Sequence, residues 1–587
     1  MSFCVIIKSM KTLKYDAVIF GTGGAGLRAA LEIVRRGGTV AIISKTYATR
    51  SHTCAAQGGI ACSLGNEEDD SWLWHMFDTI KGGDFLTDQD AAEVLAKEAP
   101  TCVIELENMG LPFSRNENGK MSQRRFGGHT KNFGKEAVKR LAFSADRTGH
   151  MIVHILYEQL QKYENAVFFP EHMILDLIID NGRCVGSVVM DISNSEIKVF
   201  HSKATLLATG GHGKLYRVTS NAYSNTGDGF AVAAKAGLIL QDIEFVQFHP
   251  TGLHPLGILI TEGARGEGGI LLNKKGERFM ERYAPTLKDL APRDIVSRSI
   301  YTEIKEGRGV DDKYVWLDIR HIGSKRIKEA LAEINDFCLT YLKIDPSKEL
   351  IPVHPTCHYI MGGIPTDTHG RVIKNDSGDK VKGLWSAGEA ACVSVHGANR
   401  LGGNSLADLI VFGKRAGLDM AGFIAEESFA EIPEKCSENA EKLINELLRE
   451  KKEKDISHNV VRKKLQDIMW DNASVFRDET SLKNVRNEIE KLEDEARFIT
   501  VKTKSKTFNM ELVESIETIN LIILGKITVE SALERRESRG SHSRLDYQER
   551  NDRDFLYHTT ANLENGKIKL GKRPIVITRF KPTERKY

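Results

Sequence analysis

A short apolar run, Ala17 to Phe20, ends in the glycine-rich stretch Gly21-Thr22-Gly23-Gly24-Ala25-Gly26. Helix-like periodicity follows from about Leu27, and a second apolar run, Val40 to Ile43, comes after it. Short apolar runs bounded by glycine read as buried strands, so this segment predicts a strand, a helix and a second strand. Another buried strand is expected over Ala204 to Ala208, running into Thr209-Gly210-Gly211. Thr226-Gly227-Asp228-Gly229 then opens an apolar helix. Residues 243 to 355 interrupt the pattern with mixed signals, and glycine-rich sequence resumes at Met361-Gly362-Gly363.

The last third reads differently. Only four of the 51 glycines lie beyond residue 430, and no proline occurs between Pro433 and Pro574. Apolar repeats such as Leu443, Ile444, Leu447 and Leu448 predict helices there. The alternating charges (Glu441-Lys442, Lys451 to Lys454) fit solvated helix faces. With 587 residues the chain is too long for one core. The expected organisation is an α/β body in two parts, 1–242 and 356–432, interrupted by an inserted α+β capping domain, 243–355. A helical domain, 433–545, and a small C-terminal domain, 546–587, follow.

Composition changes this picture little. A net charge of +2 and no basic stripe argue against nucleic acid as a partner. Nine cysteines, none spaced CxxC, argue against a thiolate metal site or an iron–sulfur cluster in this chain, so no metal ligands are assigned. The odd number in a large chain suits reduced thiols. No stretch reaches the about 18–20 apolar residues that span a bilayer. The apolar run Phe3 to Ile7 is short for a secretory signal, and no arginine precedes Arg28, unlike a mitochondrial presequence. Met10 is an alternative start.

The motif over 21–26 fits GxGxxG between a strand and a helix, the context in which it cradles a pyrophosphate. This makes the first domain Rossmann-like. Gly21, Gly23, Gly24, Ala25 and Gly26 are the candidate contacts. The ribose-binding carboxylate expected at the end of the second strand is missing; Ser44-Lys45 stands there. That disfavours NAD and leaves FAD. Asp228, Glu389 after Gly388, and Asn404-Ser405-Leu406 at the head of an apolar segment supply further turns for so long a ligand.

Arg50-Ser51-His52-Thr53 and Ala55-Ala56-Gln57-Gly58-Gly59 resemble the flavoprotein subunits of succinate dehydrogenases and fumarate reductases. The similarity runs from Tyr15 to the terminal Arg585-Lys586-Tyr587. It implies FAD bonded covalently through His52, with Ser51, Thr53, Gln57, Gly58 and Gly59 around it. A histidyl substituent raises the flavin potential, which suits succinate, a poor hydride donor. Gln57 is the residue that succinate dehydrogenases tend to have where many fumarate reductases carry glutamate.

The resemblance also implies a substrate site. His249 in His249-Pro250-Thr251-Gly252, Thr261, His358 and Arg400 would bind the carboxylates of succinate or fumarate. Arg293 would transfer the proton, with Glu262 and Arg265 as its relay; these two are three apart, close enough to pair if helical. Hydride would pass to FAD. An iron–sulfur subunit and membrane anchor subunits would carry the electrons to quinone, placing the chain on the cytoplasmic face of a bacterial inner membrane. Fumarate reductase flavoproteins share these residues. L-aspartate oxidase shares the fold, but its relatives lack the RSHT histidine. A non-catalytic descendant would have lost some of the substrate groups, and all are present.

Overall fold

The computed structural model describes residues 11–450 and 452–585. The apolar run Phe3 to Ile7, Met10, Lys451, Lys586 and Tyr587 lie outside the described residues.

Strand β1 (Lys11–Phe20) lies between β2 (Val40–Ile43) and β3 (Glu196–Leu207), parallel to both, in an eight-stranded sheet. Phe20 stands opposite Ile43 on one side and Leu207 on the other. Strand β1 starts earlier than its apolar run, because Lys11 to Tyr15 already pair with Lys198 to Ser202. Its apolar end is buried on both faces. Ala17 and Ile19 enter one core, Val18 and Phe20 another, as expected of a covered parallel sheet. Helix α1 (Gly24–Val34) begins three residues before Leu27, since glycines add no periodicity to the sequence yet form its first turn. It crosses α2 (Asn404–Glu426) at short range. A Cβ on Gly413 would stand 2.8 Å from Ala25 O, and one on Gly417 2.5 Å from Ala29 O.

Strands between residues 246 and 360 build a separate five-stranded antiparallel sheet, packed around Leu253, Leu271, Leu317 and Val353. Its central pair is β4 (Val246–Leu253) and β5 (Ile351–Ile360), with His249 opposite Thr356. Strand β5 runs without a break through residue 355, the expected boundary. Helices Glu438–Leu448, α3 (His458–Ala473), Glu479–Ala496 and α4 (Met510–Glu534) form the helical region. Ile444 and Leu447 turn inward there. Asp478 and Ser481 close a capping box on the third of these helices. A hairpin, Tyr557–Glu564 with Lys567–Pro574, follows and pairs with Leu240–Gln241.

His558 ties this hairpin to the body. Its Nδ1 lies 2.6 Å from Asp242 Oδ2 and its Nε2 3.2 Å from Asp88 Oδ1. Burial alone would push its pKa down, but the two carboxylates lift it to about 10. The folded pKa is raised, so this stabilisation is complete below 6.5 and fades as pH rises to about 10. The melting temperature should fall across that window, and His558→Gln should flatten the fall. An unchanged slope in the variant would place the pH dependence elsewhere.

Candidate active site

The carboxyl ends of the parallel strands open into one long cavity, as open α/β sheets do at a crossover. Gly21, Ser44 and Ala208, each following the end of its strand, line it together with Gly388 and Glu389. The residues present fit FAD. A Cβ on Gly21, whose φ is +111°, would lie 2.0 Å from Ala208 O, so only glycine makes this turn. Gly23 and Gly403 precede α1 and α2 without a side-chain cap, leaving two helix N-termini directed at the cavity. Such ends suit a pyrophosphate and other anionic groups. Among the described residues, Thr209 Oγ1 and Gln57 Oε1 are buried on its wall without a hydrogen-bond partner.

Ala25, Lys45, Ser51, His52, Thr53, Gly58, Gly59, Asp228, Ser405 and Leu406 also line the wall. Gly26 and Asn404 do not. Gly26 packs against Gly21 O, where a Cβ would stand 2.0 Å away. Asn404 turns aside to His75 Nε2 and Thr79 Oγ1, 2.9 Å each. Position at a helix start does not fix the direction of a side chain. Glu389 accepts the Ile360 N–H at 3.1 Å, and burial raises its pKa to about 7.

His52 sits in a short turn, and its Nδ1 accepts the Ala222 N–H at 3.3 Å. That leaves Nε2 for the cavity. Burial, helped by Lys214, lowers its pKa to about 4, so the imidazole is neutral. Glu333 and Phe337 reach the same region. Gln57 Nε2 donates to Glu333 Oε2 at 2.8 Å, and Phe337 adds to the wall.

At one end of the cavity the titratable groups converge. Arg293 begins helix Arg293–Lys305, and its Nε donates to Glu262 Oε2 at 2.7 Å. Glu262 caps a single turn, Gly263–Gly266, which brings Arg265 Nη2 to 3.9 Å. The i,i+3 pairing is therefore present as a looser contact, with Arg265 behind the wall rather than on it. Burial would raise the pKa of Glu262, but Arg293 and Arg265 hold it below the ordinary value, so it is ionised. Arg400 donates to Gln247 Oε1 at 3.1 Å, the oxygen that also accepts from Arg293 at 3.1 Å. Burial, then Arg293, lowers the pKa of Arg400 to about 9.

His249 and His358 face each other, with ring centroids 5.1 Å apart. Burial, then Arg293, keeps both neutral. The Thr251 N–H donates to His249 Nδ1 at 3.2 Å, which places the proton on Nε2. Among the described residues that Nε2–H has no acceptor. Ser220 Oγ meets His358 Nδ1 at 2.8 Å, and Thr261 completes this end. The result is a chamber of donors with Arg293 and Arg400 on its wall beside the ionised Glu262, and Arg265 behind it. It is suited to a small dianion.

Gln247, Gly127 and Phe126 are absent from the sequence-derived site. Gln247 joins the two arginines, the Gly127 N–H donates to Glu262 Oε1 at 2.7 Å, and Phe126 lines the wall. Gln247 was findable, because it stands two residues before His249 on a strand and so shares its face.

The FAD binding domain model matches residues 16–406, and the fumarate reductase flavoprotein C-terminal model matches 462–587. A succinate dehydrogenase flavoprotein subunit from Rickettsia bellii is 48% identical over 96% of each chain. An 8-methylmenaquinol:fumarate reductase flavoprotein subunit from Wolinella succinogenes is 42% identical over 97% of this chain and 92% of that one. A solved structure of E. coli quinol fumarate reductase superposes with a TM-score of 0.91 at 35% identity, covering 98% of this chain and 99% of the other. The chain belongs to the family of succinate dehydrogenase and fumarate reductase flavoprotein subunits, FAD-dependent oxidoreductases.

Proposed function

We propose that the chain oxidises succinate to fumarate, holds FAD covalently through His52 Nε2, and passes electrons through an iron–sulfur subunit to quinone. The observation that carries the reading is the chamber in which two buried guanidiniums on the wall, Arg293 and Arg400, share the Gln247 oxygen, while Glu262 is bonded to Arg293 and backed by Arg265. Its surplus of positive charge matches a dicarboxylate. His249, Thr261, His358 and Arg400 hold the two carboxylates. FAD, when bound, supplies the two-electron acceptor for hydride. Arg293 gives its Nε proton to Glu262 Oε2, to which it is hydrogen-bonded, and the neutral guanidine so formed receives the proton from the adjacent carbon. Arg265 stabilises the ionised Glu262. The cap contributes His249, Thr261, Glu262 and Arg293 and meets the first domain at Gln57, so its closure excludes water from the chamber.

The direction rests on the amide at Gln57 and on similarity to succinate dehydrogenase subunits at up to 48% identity. Membrane attachment is assigned to partner subunits on the cytoplasmic face of a bacterial inner membrane. Among the described residues no helix is long and apolar enough to cross a bilayer. The test is dye reduction by the purified flavin-loaded chain. Succinate should support it and L-aspartate should not; turnover with aspartate alone would overturn the substrate assignment.

A further inference from the structure

Lys45 stands where a dinucleotide fold places its ribose-binding carboxylate. Its Nζ lies 2.7 Å from Thr226 Oγ1, 2.7 Å from Asp228 Oδ2 and 2.5 Å from Glu517 Oε1. An ammonium has three N–H groups, and all three are engaged within the protein. Lys45 therefore lines the cavity with no N–H left for a ligand. What it does is fix Asp228, whose oxygens also accept from Thr226 Oγ1 at 3.2 Å and from Asn520 Nδ2 at 3.1 Å.

Two of these partners come from the helical region. Glu517 and Asn520 are three apart on α4, so they share one face. Neither lines the cavity. Each is held from behind. Arg462 Nη2 of α3 donates to Glu517 Oε2 at 2.9 Å, and Lys235 Nζ donates to Asn520 Oδ1 at 2.6 Å. The side chains of Lys45, Asp228 and Glu517 are 13%, 8% and 7% exposed, so water competes little for these bonds. In such surroundings a carboxylate points where its donors hold it.

We propose that Glu517 and Asn520 are positioning residues for the cofactor. Acting through Lys45 and Asp228, they aim the Asp228 carboxylate at FAD, so the helical domain completes the binding site. The inference rests on FAD as the occupant of the cavity. A bond that merely locks two domains together would give the same distances but different energetics.

The experiment uses the full chain carrying His52→Ser, in which FAD binds reversibly, with the Kd read by flavin fluorescence. Glu517→Gln keeps the shape and removes the charge. It should weaken FAD binding roughly tenfold, the equivalent of about one charge-assisted hydrogen bond. In an Asp228→Asn background the same substitution should add almost nothing, because its route to the cofactor is already cut. Asn520→Ser should behave alike and stands in if Glu517→Gln does not fold. An unchanged Kd with a lowered melting temperature, or equal effects in both backgrounds, would overturn the proposal in favour of a domain lock. Failure of the unsubstituted chain to bind flavin at all would instead sink the FAD reading.

Discussion

Replacing Arg293 by lysine should lower kcat about a thousandfold and leave KM nearly unchanged, the scale of losing a general acid–base group. Arg293 holds its place through two directed bonds, Nε to Glu262 and Nη1 to Gln247. Lysine has a point charge and no planar fork, so it cannot keep both bonds and still face the substrate. Charge is conserved in this variant, so attraction of a dianion survives while proton transfer does not. Steady-state kinetics with succinate checks the split. A large rise in KM with kcat intact would make Arg293 a binding residue and would leave the proton without an acceptor.

The converse is expected of Arg400. Arg400→Lys should raise KM about a hundredfold, within the cost of breaking a buried, hydrogen-bonded charge pair, with a smaller loss in kcat. Its guanidinium lies over the Tyr359 ring at 4.4 Å and bonds Gln247, which orients the fork toward the chamber. Lysine would carry the charge without two parallel N–H groups for a carboxylate. Equal falls in kcat and kcat/KM, with KM unchanged, would shift Arg400 from substrate holding to transition-state chemistry.

The start of the fold was legible because apolar runs and glycines carry it. The strand over 17–20, the turn over 21–26 and the strand over 40–43 stand where the pattern put them, and the strands converge on one cavity. Sequence spacing also brought Glu262 and Arg265 together, although only the structure shows the single helical turn between them. Side-chain direction was not legible. Asn404 begins the expected helix yet faces His75, away from the cavity. Lys45 reads as a cofactor contact, but its ammonium is spent on Glu517, 472 residues away. No local pattern encodes a bond of that separation. Gln247 was within reach of the pattern, since it shares a strand face with His249, but its role shows only when both arginines are seen to share its oxygen.

The covalent flavin at His52 is the claim that separates this chain from non-covalent enzymes of the same fold. His52 is neutral, its Nδ1 is held by the Ala222 N–H, and its Nε2 is left for the cavity. The most direct measurement is a denaturing gel of the purified chain beside His52→Ser, acid-washed and viewed for flavin fluorescence. Fluorescence that stays with the unsubstituted band and is lost from the variant is the predicted result. A dark band from a yellow, flavin-loaded protein would contradict it and would make a non-covalent relative such as L-aspartate oxidase the better reading.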